Sequence, residues 1–502
     1  MKRSNTGSRC GVLAALILAA LASGGCAVGP EYRDPPPVDT GSGWSQPADS
    51  NVAEFNNSTW WATLGDPDLT RLVEAALANN LDLQQAQAQI DEARALRDRA
   101  AGGHAPVVEI DGSVMRRRQS ANGPLPIASI PGVERDQTIY DAGFDAGWEI
   151  DLFGRTRRSL QSADAVVQAA QAEAVGVRIS IAAEVARSYL SLRGAQRELA
   201  ARTGSVTALT LTRDLAEMRF EVGDAAQAEV DAVDARVAAA EAGIPGIEAQ
   251  LRSAALELGV LLAQPPERGL ALLETTADAI VLVPIPLGER ADILRRRPDV
   301  LAAERRLAAR TADIGVATAE LFPKLSIGAS GGFQALDAGN LFESTSQTFS
   351  VMPLISWRVL DGGRVRAEIR ASEARQAQAA LAYEQTVLAA LGDAERALAN
   401  YRLGLEAVER RSRAVEPARR SYGHAQDRYR AGDIALTEQL AEERNLRDAE
   451  DAYARTHTSA AVALVALFKA LGGGWEGQPD LQAPANARSA VDGITPRNAP
   501  EK

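Results

Sequence analysis

Few side chains in this sequence are of types that carry chemistry, and their spacing argues against catalysis. His104, His424 and His457 are scattered, so sequence neighbours form no metal or triad motif. Neither a GxxxxGK phosphate loop, an HExxH pair nor a local nucleophile motif is present. What repeats instead is a turn flanked by carboxylates. "FEVGD" at Phe220 to Asp224 returns as "YRAGD" at Tyr429 to Asp433, and Glu229 and Glu438 each follow five residues after the turn aspartate. With no base or nucleophile beside them, these groups can act only as fixed charge, attracting cations and resisting anions wherever copies gather them in a narrow space. Neither a catalytic group, a metal ligand set nor a cofactor site is expected.

The turns need elements to position them, and the chain has ample length at 502 residues. A net charge of -12, with no basic stripe carrying interleaved aromatics, excludes a nucleic-acid groove. Aromatics are only 5%, and long reaches of Ala, Leu, Val, Arg, Glu and Gln have helix composition. Lys2, Arg3 and Arg9 precede the apolar run Gly11 to Ala22, which fits a secretory signal over residues 1–25 that is too short to span a membrane stably. Cys10 lies inside that signal, so the processed chain keeps only Cys26 and forms no internal disulfide. "SGGCA" around Cys26 resembles the acylation site of a bacterial lipoprotein, and Ala27 resembles those sent to the outer membrane. Ser23 departs from the larger aliphatic usual three residues before such a cysteine, and the competing reading is an ordinary signal with an incidental thiol. Residues 26–66 read as a lipid-anchored extended segment, since "YRDPPPVDTGSGWSQPADS" is a tether composition, and 476–502 read as a disordered tail.

Landmarks recur at kept spacing through the rest. Asp82 and Pro106 are 24 apart, as are Asp299 and Pro323; Trp148 precedes Gly223 by 75 residues, as Trp357 precedes Gly432. Two repeats follow, 67–263 and 291–475, joined by a linker over 264–290. In each, helical periodicity gives way to alternation. Tyr140, Ala142, Phe144, Ala146 and Trp148 alternate with Asp141, Gly143, Asp145, Gly147 and Glu149. Val107 to Met115 does the same, as do Leu325 to Phe333 and Phe349 to Ile355. Strands of about 9 to 11 residues with one apolar and one polar face fit tilted transmembrane strands, which turns Asp141 and Asp145 toward a lumen. Trp148 and Trp357, where strand gives way to helix, suit the inner membrane interface.

Long helices come next. Gly154 to Met218 and Gly363 to Arg428 read as uninterrupted, about 95 Å each at about 1.5 Å per residue. Val185, Leu192, Leu199 and Val206, and Leu391, Leu398 and Leu405, recur every seven residues and suit coiled-coil packing. Gly223 and Gly432 then turn each chain back, and "GIPGIE" at Gly243 to Glu248 is expected to break the first returning helix. Four strands cannot cross a membrane as an open sheet, because both edges leave backbone groups unpaired in hydrocarbon. Rings of two, three or four chains would give eight, twelve or sixteen strands, a number this geometry leaves open.

At this point the residues carry a resemblance. "GCAVGPEY" at 25–32, "WWATLGDPDLTRLVEAALANNLDL" at 60–83, "WEIDLFGRTRRS" at 148–159, "AAEVARSYLSLRGAQ" at 182–196, "RFEVGD" at 219–224, "LRRRPDVLAAERRLAARTADIGVATAELFPKLSI" at 294–327 and "ALGGGW" at 470–475 together resemble the outer membrane efflux proteins, the TolC-like channels, and within them the NodT-type lipoprotein branch. The resemblance implies a mixed α+β membrane protein: a two-repeat protomer with four transmembrane strands and long helical hairpins. It would assemble as a homotrimer into a twelve-stranded outer membrane barrel continuous with a periplasmic helical barrel. It further implies a passive duct that receives small molecules from an inner membrane pump, of the resistance-nodulation-division type, through a periplasmic adaptor. In the family the turns at Gly223, Asp224, Gly432 and Asp433 meet the adaptor and form a constriction faced by acidic residues, here Glu229 and Glu438. A second acidic position falls on Ala441 and a basic one on Ile434, both departures. A protein-secretion duct, and more distantly a periplasmic adaptor or structural coiled-coil lipoprotein, are the competing readings.

Overall fold

The computed structural model describes residues 27–41, 43–45, 57–120, 134–275, 280–282 and 296–473. Cys26, the signal and the tail lie outside the described residues. The first repeat runs α1 (Pro67–Asn79), α2 (Leu81–Gly102), β1 (Val107–Arg118), β2 (Asp136–Ile150), α3 (Arg155–Glu221), α4 (Gln227–Ala242) and α5 (Ile244–Leu261). The second runs α6 (Pro298–Ala319), β3 (Lys324–Ala335), β4 (Gln347–Ser356), α7 (Arg364–Arg430) and α8 (Leu436–Ala470).

Local chemistry sets these boundaries. Asp66 caps α1 by accepting from the N–H groups of Asp68 at 2.9 Å and Leu69 at 3.1 Å, with Pro67 at the first helical position. The expected break of the first returning helix falls at Gly243, and the proline beside it is accommodated in the first turn of α5, where a missing N–H costs nothing. Both long helices run uninterrupted as expected, yet they differ in one respect the sequence reading passed over: α3 contains no proline, whereas α7 passes through Pro417. Arg413, whose carbonyl loses its partner there, is exposed together with Pro417, so water replaces the missing bond and the helix continues.

Two compact units form, and each pools both repeats. One comprises Met1–Pro36, Asp91–Ala169 and Ala303–Tyr383; the other comprises Pro37–Ile90, Ala170–Ala302 and Glu384–Lys502. The first holds a four-stranded antiparallel sheet in the order β1-β2-β3-β4, so the two repeats meet where β2 pairs with β3. Its register sorts the side chains by face. Ile110, Phe144, Gly331 and Phe349 lie in one row and Val108, Ala146, Ala329 and Val351 in another; on the opposite face run Glu109, Asp145, Ser330 and Ser350. The apolar face is open, with Ile110 89% and Phe349 88% exposed. Both edge strands, β1 and β4, are exposed along their whole length. The residues just after Cys26 dock in this same unit. Val28 donates to the Phe153 carbonyl at 3.1 Å, Arg158 reaches the carbonyls of Val28 and Gly29 at 3.2 and 3.4 Å, and the Tyr32 hydroxyl donates to Glu304 at 3.1 Å.

The second unit holds the main core. Trp60 stacks on Phe468 with centroids 4.8 Å apart, and the heptad residues Val185, Leu192 and Leu398 are buried with them. Fully burying each such side chain is worth about 1.5–3 kcal/mol. The stretch around Tyr189 ties distant segments to this core. Its hydroxyl donates to Asp66 at 2.7 Å, buried Arg193 donates to the carbonyl and hydroxyl of Thr275, and Gln196 donates to the Thr275 carbonyl at 2.9 Å.

Candidate functional site

The paired turns end both hairpins in the second unit, and they are built identically. Gly223 N–H bonds the Phe220 carbonyl at 2.9 Å and Asp224 N–H the Arg219 carbonyl at 2.7 Å; Gly432 and Asp433 bond Tyr429 and Arg428 at 3.0 and 2.9 Å. This pairing of bonds is the Schellman motif, which demands a left-handed residue after the last helical turn. Gly223 and Gly432 supply it with φ of 80° and 83°. Nothing crowds either α-carbon, so the requirement at these positions is conformational rather than steric.

Beyond the turns the two hairpins touch along a seam. Leu209 and Ala216 of α3 and Val230, Val233 and Val237 of α4 bury against Tyr429, Leu436 and Leu440. Polar contacts frame this apolar strip. Arg219 donates to Asp224 at 2.9 Å and to the Tyr429 hydroxyl at 2.6 Å, with its guanidinium 5.3 Å from the Tyr429 ring centroid. Arg236 donates to the Leu440 carbonyl, Arg202 pairs with Asp451 at 3.0 Å, and Arg455 pairs with Glu198 at 2.5 Å. Burial raises the Asp451 carboxyl above its usual range, against the pull of Arg202 and Arg455.

The sequence-derived site residues fall into three places. Glu229 and Glu438 each occupy the third position after an alanine cap that makes no side-chain bond, so both carboxylates sit in a first helical turn and interact favourably with the helix dipole. Glu438 is exposed and Glu229 half-buried, while Asp224 and Asp433 are exposed beside them. Asp141 and Asp145 share the polar face of the sheet: Asp141 accepts from Gln334 at 2.7 Å, and Asp145 stands opposite Glu109 and Ser330. Trp148 and Trp357 are both exposed and make the same bond one repeat apart. Trp148 Nε1 donates to the His104 carbonyl at 2.9 Å and Trp357 Nε1 to the Leu321 carbonyl at 3.0 Å, each acceptor standing two residues before its repeat's proline.

Sequence reasoning missed the Arg219–Tyr429 bridge and the buried polar pair Gln439 and Glu443. A signal for the first was present. At equivalent repeat positions Phe220 stays exposed whereas Tyr429 is buried, and the added hydroxyl is the atom Arg219 uses. Among the described residues no three metal-ligating side chains converge, and no helix is long and apolar enough to cross a membrane.

A sequence model for the outer membrane efflux protein family matches residues 72–264 and 290–473. The chain belongs to that family. It is 33% identical over 443 residues to the pyoverdine export outer membrane protein OpmQ of Pseudomonas putida, covering 87% of this chain and 92% of OpmQ. Nodulation protein T of Rhizobium leguminosarum is 30% identical over 465 residues, covering 90% of this chain and 95% of that protein. Among solved structures, the outer-membrane channel OprN matches at 37% identity with a TM-score of 0.81, covering 90% of this chain and 100% of that one. The fold is therefore that of the TolC-like channels, and the protein is an outer membrane efflux channel. Its family consists of transport proteins rather than catalysts.

Proposed function

We propose that three copies of this chain close into a twelve-stranded outer membrane barrel and a periplasmic helical barrel, forming the passive exit duct of a tripartite pump. The observation that carries this reading is the open sheet. Two unpaired edges beside an exposed apolar face would be prohibitively costly in hydrocarbon unless neighbouring copies pair with β1 and β4. A small molecule enters from an inner membrane pump of the resistance-nodulation-division type through a periplasmic adaptor that meets the hairpin tips. Pyoverdine export by the OpmQ relative supports small-molecule cargo over protein cargo. The turns at Gly223, Asp224, Gly432 and Asp433 form the entrance, Glu229 and Glu438 place carboxylates beside it, and the Arg219–Tyr429 bridge holds it closed. Asp141 and Asp145 face the lumen, while Trp148 and Trp357 mark the inner membrane interface. Cys26 carries the lipid anchor; the docking of Val28 and Gly29 at the strand-to-helix junction supports a membrane-proximal thiol.

Native mass measurement in detergent tests the assembly. A trimer is expected, and a stable monomer that retains its strands would refute the oligomeric barrel.

A further inference from the structure

Gln439 and Glu443 are anomalous members of the hairpin seam. They lie one turn apart on the inward face of α8, 5% and 3% exposed, flanked by buried Leu440 and Leu446. The Gln439 amide hydrogen-bonds the Tyr422 phenol on α7. Yet Gln439 Oε1 and Glu443 Oε1 are both buried with no hydrogen-bond partner. Two neighbouring acceptors without a donor are unfavourable, and more so when one carries a charge.

The groups facing Glu443 do not resolve this. They are Arg447 on α8 itself, Arg236 on α4 and Tyr422 on α7. Arg447 is paired with Glu450 at 3.0 Å and Arg236 donates to the Leu440 carbonyl. A proton does resolve it. Turning the Gln439 amide over would let Oε1 accept from the Tyr422 phenol and Nε2 donate to Glu443, but it leaves the carboxylate charge buried; the neutral acid loses that charge and gains an O–H that can donate to Gln439 Oε1.

We propose that Glu443 is a proton-operated latch: protonated, it bridges to Gln439 and lets α8 pack against α4 and α7 at closed tips; ionised, it loosens that seam. The latch rests on reading the tips as the channel's entrance. Burial holds the Glu443 carboxyl above its usual range, outweighing Arg447 and Arg236. The sign follows from linkage. The closed form binds the proton more tightly than the open form, so closure is strongest below the ordinary carboxylate range and is lost as pH rises through the raised value.

Two readouts on the assembled channel test this. In planar bilayers the ratio of open to closed time in the wild type should rise with pH, by up to about tenfold per unit for each chain that loses its proton. Glu443→Gln imitates the neutral acid and should remain closed across the same range. In parallel, a protonated-carboxyl infrared band that is lost over the same pH range should be present in the wild type and missing from Glu443→Gln. Identical pH profiles for both proteins, or a Glu443→Gln channel open at every pH, would overturn the latch, the latter because it shows ionised Glu443 holding the seam. Absence of the band in the wild type overturns the protonation itself. A band that titrates without any conductance change overturns instead the assignment of the tips as the entrance, and with it the latch.

Discussion

Replacing Tyr429 by Phe removes one atom from the seam between the hairpins and leaves the rest in place. The lost hydroxyl accepts from Arg219 at 2.6 Å, whereas the ring stays 5.3 Å from the guanidinium and buried against Leu436 and Leu440. A hydrogen bond to a charged donor is worth about 1.5–3 kcal/mol when desolvated. The Arg219 side chain is 32% exposed, so screening and competing water reduce this to about 1 kcal/mol. That corresponds to about a fivefold shift of the closed-to-open ratio in each chain, since about 1.4 kcal/mol is tenfold. Tyr429→Ala should go further, because it also deletes the ring, with a cation–π contact of about 0.5–1 kcal/mol and its share of the apolar strip. Single-channel recording reads the effect as longer and more frequent openings, ordered wild type, Tyr429→Phe, Tyr429→Ala. Arg219→Ala should exceed Tyr429→Phe, because it also removes the cation–π contact and the Asp224 pair, and adding Tyr429→Phe to it should change little, giving a coupling of about 1 kcal/mol. Open probabilities unchanged in Tyr429→Phe, or strictly additive effects in the cycle, would show that this bond does not hold the tips.

Three other expectations concern sites already placed. Intact mass of membrane-extracted protein should show a diacylglyceryl-modified, N-acylated Cys26, and a mature N-terminus elsewhere without lipid mass would exclude the anchor; Cys26→Ser should weaken anchoring but leave the barrel inserted, because the assembled strands hold the membrane more firmly than lipid chains do. Glu438→Gln should lower cation preference in planar bilayers and Glu438→Lys reverse it, whereas unchanged selectivity in both would reduce Glu438 to a helix-terminus carboxylate. Gly432→Val places a β-branched residue at φ of 83°, a strain of about 1–3 kcal/mol, so efflux should fall while trimer recovery stays near wild type; normal efflux would show that the turn adapts.

How much of this was legible in the sequence depends on the range of the interaction responsible. Alternation of side chains marked all four strands, because the two faces of a strand are set by local geometry. It did not mark their full extent. Reading Val107 to Met115 from side chains stopped short of Arg118, since backbone pairing of Arg116, Arg117 and Arg118 with Thr138, Gln137 and Asp136 continues the ladder regardless of polarity. Heptad spacing and the two glycine turns were equally plain, for a left-handed position after a helix is a property of a few consecutive residues. Pro417 shows the limit of the same logic: a local helix breaker is tolerated where water can satisfy the carbonyl it frees.

Only the tertiary structure decided which distant residues share an environment. The compact units cut across the sequence repeats because β2 must pair with β3, so each repeat completes its sheet only with the other. Arg219 and Tyr429 stand 210 positions apart, and no periodicity announces that one donates to the other. Glu438 and Glu443 are five residues apart on one helix and read alike as acidic helix positions. Packing of α4 and α7 against α8 buries the second and leaves the first in water, because at about 100° per residue five positions carry a side chain to a different face and burial is fixed by what that face meets.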